Sequence, residues 1–380
     1  MYDCIICGSG FAGSVSANIL ASKYDKKVLI IEKRGHIGGN CFDYIDDNGI
    51  LIHKYGPHLF HTSNKKVWEY LSLFTQWDKY EHKVLCSIDG QNVPIPFNFN
   101  TIEQIFEPQK AKKLQEKLLE NYELNSKVPI LELKKSDDAD LQFLADFIYE
   151  KVFVNYTAKQ WGMKPSELDS AVTARVPVFV GRDNRYFNDE YQAVPKDGYT
   201  KLFENLLNHP NIKVVLNTDF KDMVTIEDNK FYLNAEEFKG KVIYTGMIDE
   251  LFDYKFGELP YRSVDMRFES IDKEYFQAGA TINYPNEHNF TRITEFKHIH
   301  PIKSDKTTIL KEYPQNYVKG ENTAYYPIFT DDNQKRYNQY VEYSKKFDDL
   351  VLIGRLAEYK YYDMDDVVER VLDIAKEVEL

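Results

Sequence analysis

The chain has 380 residues, enough for about two or three domains with full cores, and its 43% hydrophobic and 28% charged fractions are those of a globular protein. A net charge of −12 argues against nucleic acid as a partner, because phosphate-backbone binding calls for a basic stripe; an anionic small molecule needs a few local arginines to outweigh that field. No stretch approaches the ~18 consecutive apolar residues of a membrane span and the chain runs directly into a strand, so the expectation is no membrane insertion, no signal peptide and a cytoplasmic location.

In chain order, Asp3–Cys7 is a short apolar run and Gly8–Gly13 is glycine-rich. Ser14–Lys23 has the small-residue spacing of a tightly packed helix, and Lys27–Ile31 is a second strand ending at Glu32. Together these residues predict a βαβ unit. Cys4 and Cys7 spell CxxC, but strand alternation turns the two thiols to opposite faces, so buried, unpaired cysteines are expected and no metal. Gly49–His53 and Val84–Pro96 read as strands, and Lys65–Phe74 as an amphipathic helix. From about Thr101 to Lys164 the apolar spacing is helical, clearest over Ala111–Tyr122 and Leu141–Phe153. Residues 165–198 mix Pro, Gly, Arg and Asp without a period and read as a long loop with irregular structure.

Tyr199–Leu207 is helical again, and Lys213–Leu216 and Lys241–Thr245 read as strands rejoining the first sheet. Ser263–Glu269, Ala278–Tyr284, Thr291–Phe296 and Thr307–Glu312 alternate as in an antiparallel sheet. The chain closes with strand Leu350–Ile353, Gly354 and helix Met364–Val378. The fold class is α/β, with a Rossmann-like dinucleotide domain assembled from pieces distant in sequence.

Gly8, Gly10 and Gly13 spell GxGxxG, with Phe11 opening the helix. Lying between a strand and a helix, the glycines permit a tight turn and close approach to a pyrophosphate at the helix N-terminus. Glu32 stands where a ribose hydroxyl is recognised, and its charge repels a 2′-phosphate. Lys33-Arg34 followed by Gly38, Gly39 and Asn40 adds a second loop suited to extended FAD. His58 and His61 flank a Gly-Pro turn with no further metal ligand nearby and are expected to line a pocket. Tyr156, Thr157 and Trp161 set aromatic faces beside polar tips, as stacking on a planar base requires. Arg175, Arg182 and Arg185 can clamp a diphosphate from the loop. Arg292 lies within a strand and needs an anionic partner, with Glu295, Glu312 or a ligand as candidates. At the end of the chain, Gly354 leads to an acid at the helix start, the natural cap, in a turn that brings backbone N–H groups toward the cofactor.

Taken in order, GSGFAG with EKRGHIGGN, HKYGPHLFHT, NYTAKQWG, TRITEFKH, KEYP, AYYPI and GRLAEYKYYDM resemble the bacterial UDP-galactopyranose mutases over essentially the whole chain. The resemblance implies a discontinuous FAD domain over 1–80, 199–255 and 331–380. It implies a helical domain over 98–198, with a mobile substrate loop near 165–180, and a twisted antiparallel sheet domain over 81–97 and 256–330. It implies a homodimer whose isomerase activity interconverts UDP-galactopyranose and UDP-galactofuranose for cell-surface polysaccharide. Reduced flavin N5 acts there as the nucleophile at the anomeric carbon, with no net redox change, and an external donor such as NAD(P)H supplies the reduction. Arg175 and Arg292 match arginines on the diphosphate, and Tyr156, Trp161 and Tyr186 match aromatics around the uridine and loop. Glu312, Tyr326, Tyr361 and Asp363 match substrate-pocket positions. His58 and His61 match histidines near flavin and sugar, Arg355 matches an arginine at the flavin, and Met364 follows in the same cofactor-binding segment. One position departs: His82 stands where many members carry Asn, which leaves open galactose, N-acetylgalactosamine (as the UDP-sugar) or fucose (as the dTDP-sugar). The shared GxGxxG opening also keeps a flavin oxidase of the amine-oxidase type as a rival reading.

Overall fold

A computed structural model describes residues 2–162 and 177–377. Among these, five strands form a parallel sheet in the order Ile212–Val215, Val28–Ile31, Cys4–Cys7, Lys241–Tyr244, Leu350–Leu352. Its strands are apolar throughout because both faces are covered. Cys4, Ile6, Val28 and Ile30 point into a core shared with the helices Phe11–Tyr24, Tyr199–Leu207 and Met364–Glu377. Ile5, Leu29, Ile31 and Val242 point into the opposite core, with Phe220, Phe252 and Tyr340. Cys4 and Cys7 therefore face opposite cores, unbridged, and burial pushes the Cys4 thiol up to about 12. The helix Phe11–Tyr24 is buried along its first three turns, and its run of Ala, Gly and Ser is what lets sheet and helices close on it from all sides.

Seven described strands form a second sheet in the order Tyr326–Pro327, Tyr261–Ile271, Thr307–Asn316, Arg292–Glu295, Thr281–Asn283, Val84–Ile88, Gln91–Ile95. It departs from the expected all-antiparallel sheet at one pairing: Thr281–Asn283 runs parallel to Val84–Cys86. The single strand expected over Val84–Pro96 is a hairpin, turned at Asp89-Gly90, where both residues have positive φ.

The helical segment keeps its expected helices at Pro108–Asn121 and Ala139–Ile148. The latter continues through a wider π-turn, Tyr149–Val154, into Asn155–Trp161. The irregular reading of 165–198 is corrected within its described part by two strands. Pro177–Phe179 pairs with Lys127–Pro129, and Tyr191–Pro195 is the middle strand between Phe60–Thr62 and Trp77–Lys79. Strands this short carry too few residues for a period of two to register. The helix Asp331–Ser344 also lacks a sequence signal, since Tyr340 is its one fully buried side chain. No described helix is long and apolar enough to cross a membrane.

Candidate active site

The glycine turn is built for something other than a side chain. Gly8 has φ +91°, and a Cβ on Gly13 would lie 2.0 Å from the Gly8 carbonyl oxygen. No side chain caps the helix that begins at Phe11, so its first N–H groups remain available to an anion. Phe11 itself turns inward onto Phe203, ring centroids 4.7 Å apart, so only its backbone can serve a ligand. Glu32 is buried. Its Oε2 accepts from the Ser9 N–H and hydroxyl at 2.9 and 2.8 Å, and Oε1 accepts from the Arg34 N–H at 2.9 Å. The carboxylate thus ties the turn to the second strand and keeps acceptor capacity on Oε1.

Lys33 is exposed; its neighbour Arg34 carries the local chemistry instead. The Arg34 guanidinium lies 4.3 Å from the Tyr55 ring centroid, donates to Asn40 Oδ1 at 2.9 Å, and keeps Nη1 buried without a protein partner. A buried, unpartnered guanidinium nitrogen beside an uncapped helix end and a glycine cradle fits an anionic dinucleotide such as FAD. The sequence assigns the basic pair Lys33-Arg34 to a cofactor loop, and of the two it is Arg34 that is held inside, against Tyr55 and Asn40.

Next to Asn40 opens a cavity of about 600 Å³. Strand register explains its floor. Met266, Glu312, Arg292, Asn283 and Cys86 lie abreast on five neighbouring strands, and all five line the cavity. Arg292 Nε donates to Glu312 at 2.7 Å, which settles the partner left open by the sequence. Glu295 is committed elsewhere, accepting from the Phe276 and Gln277 N–H groups. Burial opposes the charge on Arg292, but Glu312 and the facing tyrosines outweigh it and raise its pKa well above the ordinary value. Thr281 Oγ1 and Asn283 Oδ1 are buried on this wall with no protein partner. Neither residue has a sequence signal.

On the edge strand of the same sheet, Tyr326 stacks with Tyr361, centroids 5.9 Å apart, and the Arg355 guanidinium lies 5.2 Å from each ring. Backbone carbonyls of Tyr325 and Tyr362 hold that guanidinium. Asn40, His58, His61, Tyr156, Tyr186, Asp363 and Met364 also line the cavity. An acid caps the start of the last helix, as expected: the Asp363 N–H donates to the side chain of Asp366, three residues on. Thr157 is buried and stands apart from the cavity lining. Arg175 lies outside the described residues, as does the side chain of Trp161. Arg182 and Arg185 are not free to clamp a diphosphate: they pair with Glu103 at 2.5 Å and Asp183 at 2.6 Å and do not line the cavity.

The two histidines of the Gly-Pro turn differ in surroundings. The His58 N–H donates to His53 Nδ1, and His58 Nδ1 donates to the Gly56 carbonyl at 2.8 Å. Burial outweighs that carbonyl and brings the ring down to about 4. His61 Nδ1 is 2.9 Å from Asp189, and the ring lies flat on Phe187 with centroids 3.6 Å apart. His82 is buried near them, pushed down to about 3.

Burial also lowers His53 and His300, so four histidines are neutral in the folded chain. Their folded pKa values lie below the unfolded value of about 6.5. As pH falls through that window, the unfolded chain binds protons that the native chain does not, and stability drops by up to about 1.4 kcal/mol per pH unit for each histidine. The urea midpoint is expected to fall steeply between pH 6.5 and 4.5; a flat profile would contradict these burials.

A sequence model of the family described as UDP-galactopyranose mutase matches residues 151–361, and one for an NAD(P)-binding Rossmann-like domain matches residues 6–74. The chain is 36% identical to a dTDP-fucopyranose mutase of Escherichia coli, over 99% of this chain and 98% of that one. It is 35% identical to a UDP-galactopyranose mutase of Mycoplasma genitalium, over 100% and 95%. A crystal structure of reduced UDP-galactopyranose mutase shares the fold, with TM-score 0.74 at 15% identity, covering 100% of this chain and 95% of that one. The chain belongs to the UDP-galactopyranose mutase family, a family of isomerases.

Proposed function

We propose that this protein interconverts UDP-galactopyranose and UDP-galactofuranose with reduced FAD and no net redox change. The observation that carries the reading is one cavity, opening beside the glycine cradle, that the row Glu312–Arg292–Asn283 lines together with the stacked tyrosine pair and Arg355. A nucleoside-diphosphate sugar presents charge for the arginines and a base for the buried polar groups.

In this reading Gly8, Gly10, the Phe11 backbone, Gly13, Glu32, Gly38, Gly39 and Asn40 bind FAD, with Arg34 in place of the exposed Lys33, and His58, Arg355, Asp363 and Met364 bound its flavin end. When bound and reduced, FAD supplies a nucleophilic ring nitrogen for the anomeric carbon. Arg292, oriented by Glu312, and Arg175 stabilise the diphosphate as it leaves; Tyr326 and Tyr361 flank it. Tyr156, Trp161 and Tyr186 serve the nucleoside end, where Asn283 and Thr281 supply polar contacts; Thr157, buried away from the cavity, supports the helix that carries Tyr156. Neutral His58 offers an acceptor at Nε2, and His61 is the second histidine at the reacting centre. The domain bounds 1–80, 199–255 and 331–380, 98–198, and 81–97 with 256–330 are part of the same proposal, with strand Tyr191–Pro195 grouped with the first. So are a homodimer, reduction by NAD(P)H, a cytoplasmic location and a role in cell-surface polysaccharide synthesis.

The relative named for dTDP-fucopyranose supports a second reading, the same ring contraction on a 6-deoxy sugar. A panel of UDP-galactose, UDP-N-acetylgalactosamine and dTDP-fucose on reduced enzyme separates the readings. The highest kcat/KM is expected with UDP-galactose; preference for dTDP-fucose would move the assignment to the second.

A further inference from the structure

We propose that His61, held by Asp189, is the proton carrier of the ring contraction, with His61 the catalytic residue and Asp189 the positioning residue behind it. The inference rests on the reading above. In the six-membered form the ring bond is C1–O5 and O4 bears a hydrogen; in the five-membered form the ring bond is C1–O4 and O5 bears it. Interconversion therefore breaks one C–O bond, makes another, and moves one proton from O4 to O5.

Only a group that can give a proton and take it back serves both halves. His61 enters this step as the imidazolium paired with Asp189: as C1–O5 breaks, its electron pair goes to O5, which takes the Nε2 proton and leaves His61 as the neutral Nδ1–H tautomer, while C1 stays bonded to the nucleophile, whose lone pair would supply the electrons C1 loses. As O4 closes on C1, its proton returns to Nε2. The carrier ends as it began, and no electron is gained or lost.

The structure separates the two histidines of the turn by their partners. His58 spends its Nδ1 proton on a backbone carbonyl, with no carboxylate on the ring, and burial keeps it neutral, so it can accept but not carry. His61 has a carboxylate at Nδ1. An ionised carboxylate only accepts, which places a proton on Nδ1 and leaves Nε2 for the cavity that His61 lines. A second proton on this ring forms an ion pair rather than an isolated charge. Asp189 is itself anchored: Ser63 Oγ donates to its other oxygen at 2.9 Å. Phe187 lies against the imidazole face and fixes the ring plane.

The test separates C1–O cleavage from ring contraction. FAD-loaded, reduced enzyme is given UDP-galactopyranose labelled with ¹⁸O in the bridging anomeric oxygen, and scrambling of label within the diphosphate is read beside furanose formation. Scrambling needs no proton at O5. In His61→Gln and Asp189→Asn, ring interconversion is expected to fall by about 10²- to 10⁴-fold, while scrambling falls far less. Asp189→Glu, which restores the carboxylate, should recover much of the lost interconversion. On the oxidised, substrate-free holoprotein, ¹⁵N-histidine spectra should show His61 protonated on Nδ1 in the native chain and not in Asp189→Asn. Parallel loss of scrambling and interconversion, unchanged interconversion, or an unchanged tautomer in Asp189→Asn would each overturn the proposal. Absent scrambling in the unmutated enzyme would sink the underlying reading first, and the proton assignment with it.

Discussion

Arg292→Ala is expected to cost turnover about 10²- to 10³-fold, the effect of removing a charged donor aimed at charge that develops in the transition state. Two consequences follow from its position. The guanidinium reaches the cavity with 29% of its side chain exposed, while Glu312 behind it is 4% exposed. Removing the cation strands that carboxylate, so stability should also drop, by about 3 kcal/mol, the low end for a broken buried pair because one partner borders the cavity. Arg292→Ala/Glu312→Gln should regain most of the stability and none of the turnover. Denaturant midpoints and steady-state rates on the reduced proteins check both halves; a double variant no more stable than the single one would show that the pair is not the source of the cost.

Gly13→Ala should abolish flavin retention. The added methyl meets the Gly8 carbonyl at 2.0 Å and Ile6 Cγ2 at 3.2 Å, and neither is the end of a flexible chain that can swing away. The helix must withdraw from the turn, which moves its uncapped N–H groups off the pyrophosphate position. Weakening of at least ~100-fold, about 2.7 kcal/mol, is expected in FAD titrations monitored by fluorescence. Binding within threefold of the unmutated chain would remove the glycine turn from the cofactor site.

The parallel sheet was legible because strands buried on both faces are continuously apolar, as Cys4–Cys7 and Val28–Ile31 are, and because GxGxxG sits where such a strand meets a helix. Pairing across long separations was not. Asp189 lies 128 residues from His61 and reaches it only because Tyr191–Pro195 pairs with Phe60–Thr62, a contact with no local trace. Arg292 was recognisable as needing an anion, but choosing Glu312 over the nearer Glu295 took the strand register. Arg182 and Arg185 mislead in the opposite direction: their residue type suits a diphosphate, and their neighbours Glu103 and Asp183 already hold them. Asp89-Gly90 was a readable turn hidden inside an apolar run. The unpartnered polar atoms of Arg34, Thr281 and Asn283 become visible only once burial is known.

In the proposed function the flavin serves isomerisation as a nucleophile. The direct measurement is turnover of UDP-galactofuranose to UDP-galactopyranose by the same FAD-loaded preparation, oxidised and after dithionite reduction, under anaerobic conditions. Interconversion is expected from the reduced enzyme and none from the oxidised enzyme, with no reductant consumed per turnover. Equal rates in both states, or substrate-dependent flavin reduction with peroxide released in air, would contradict it.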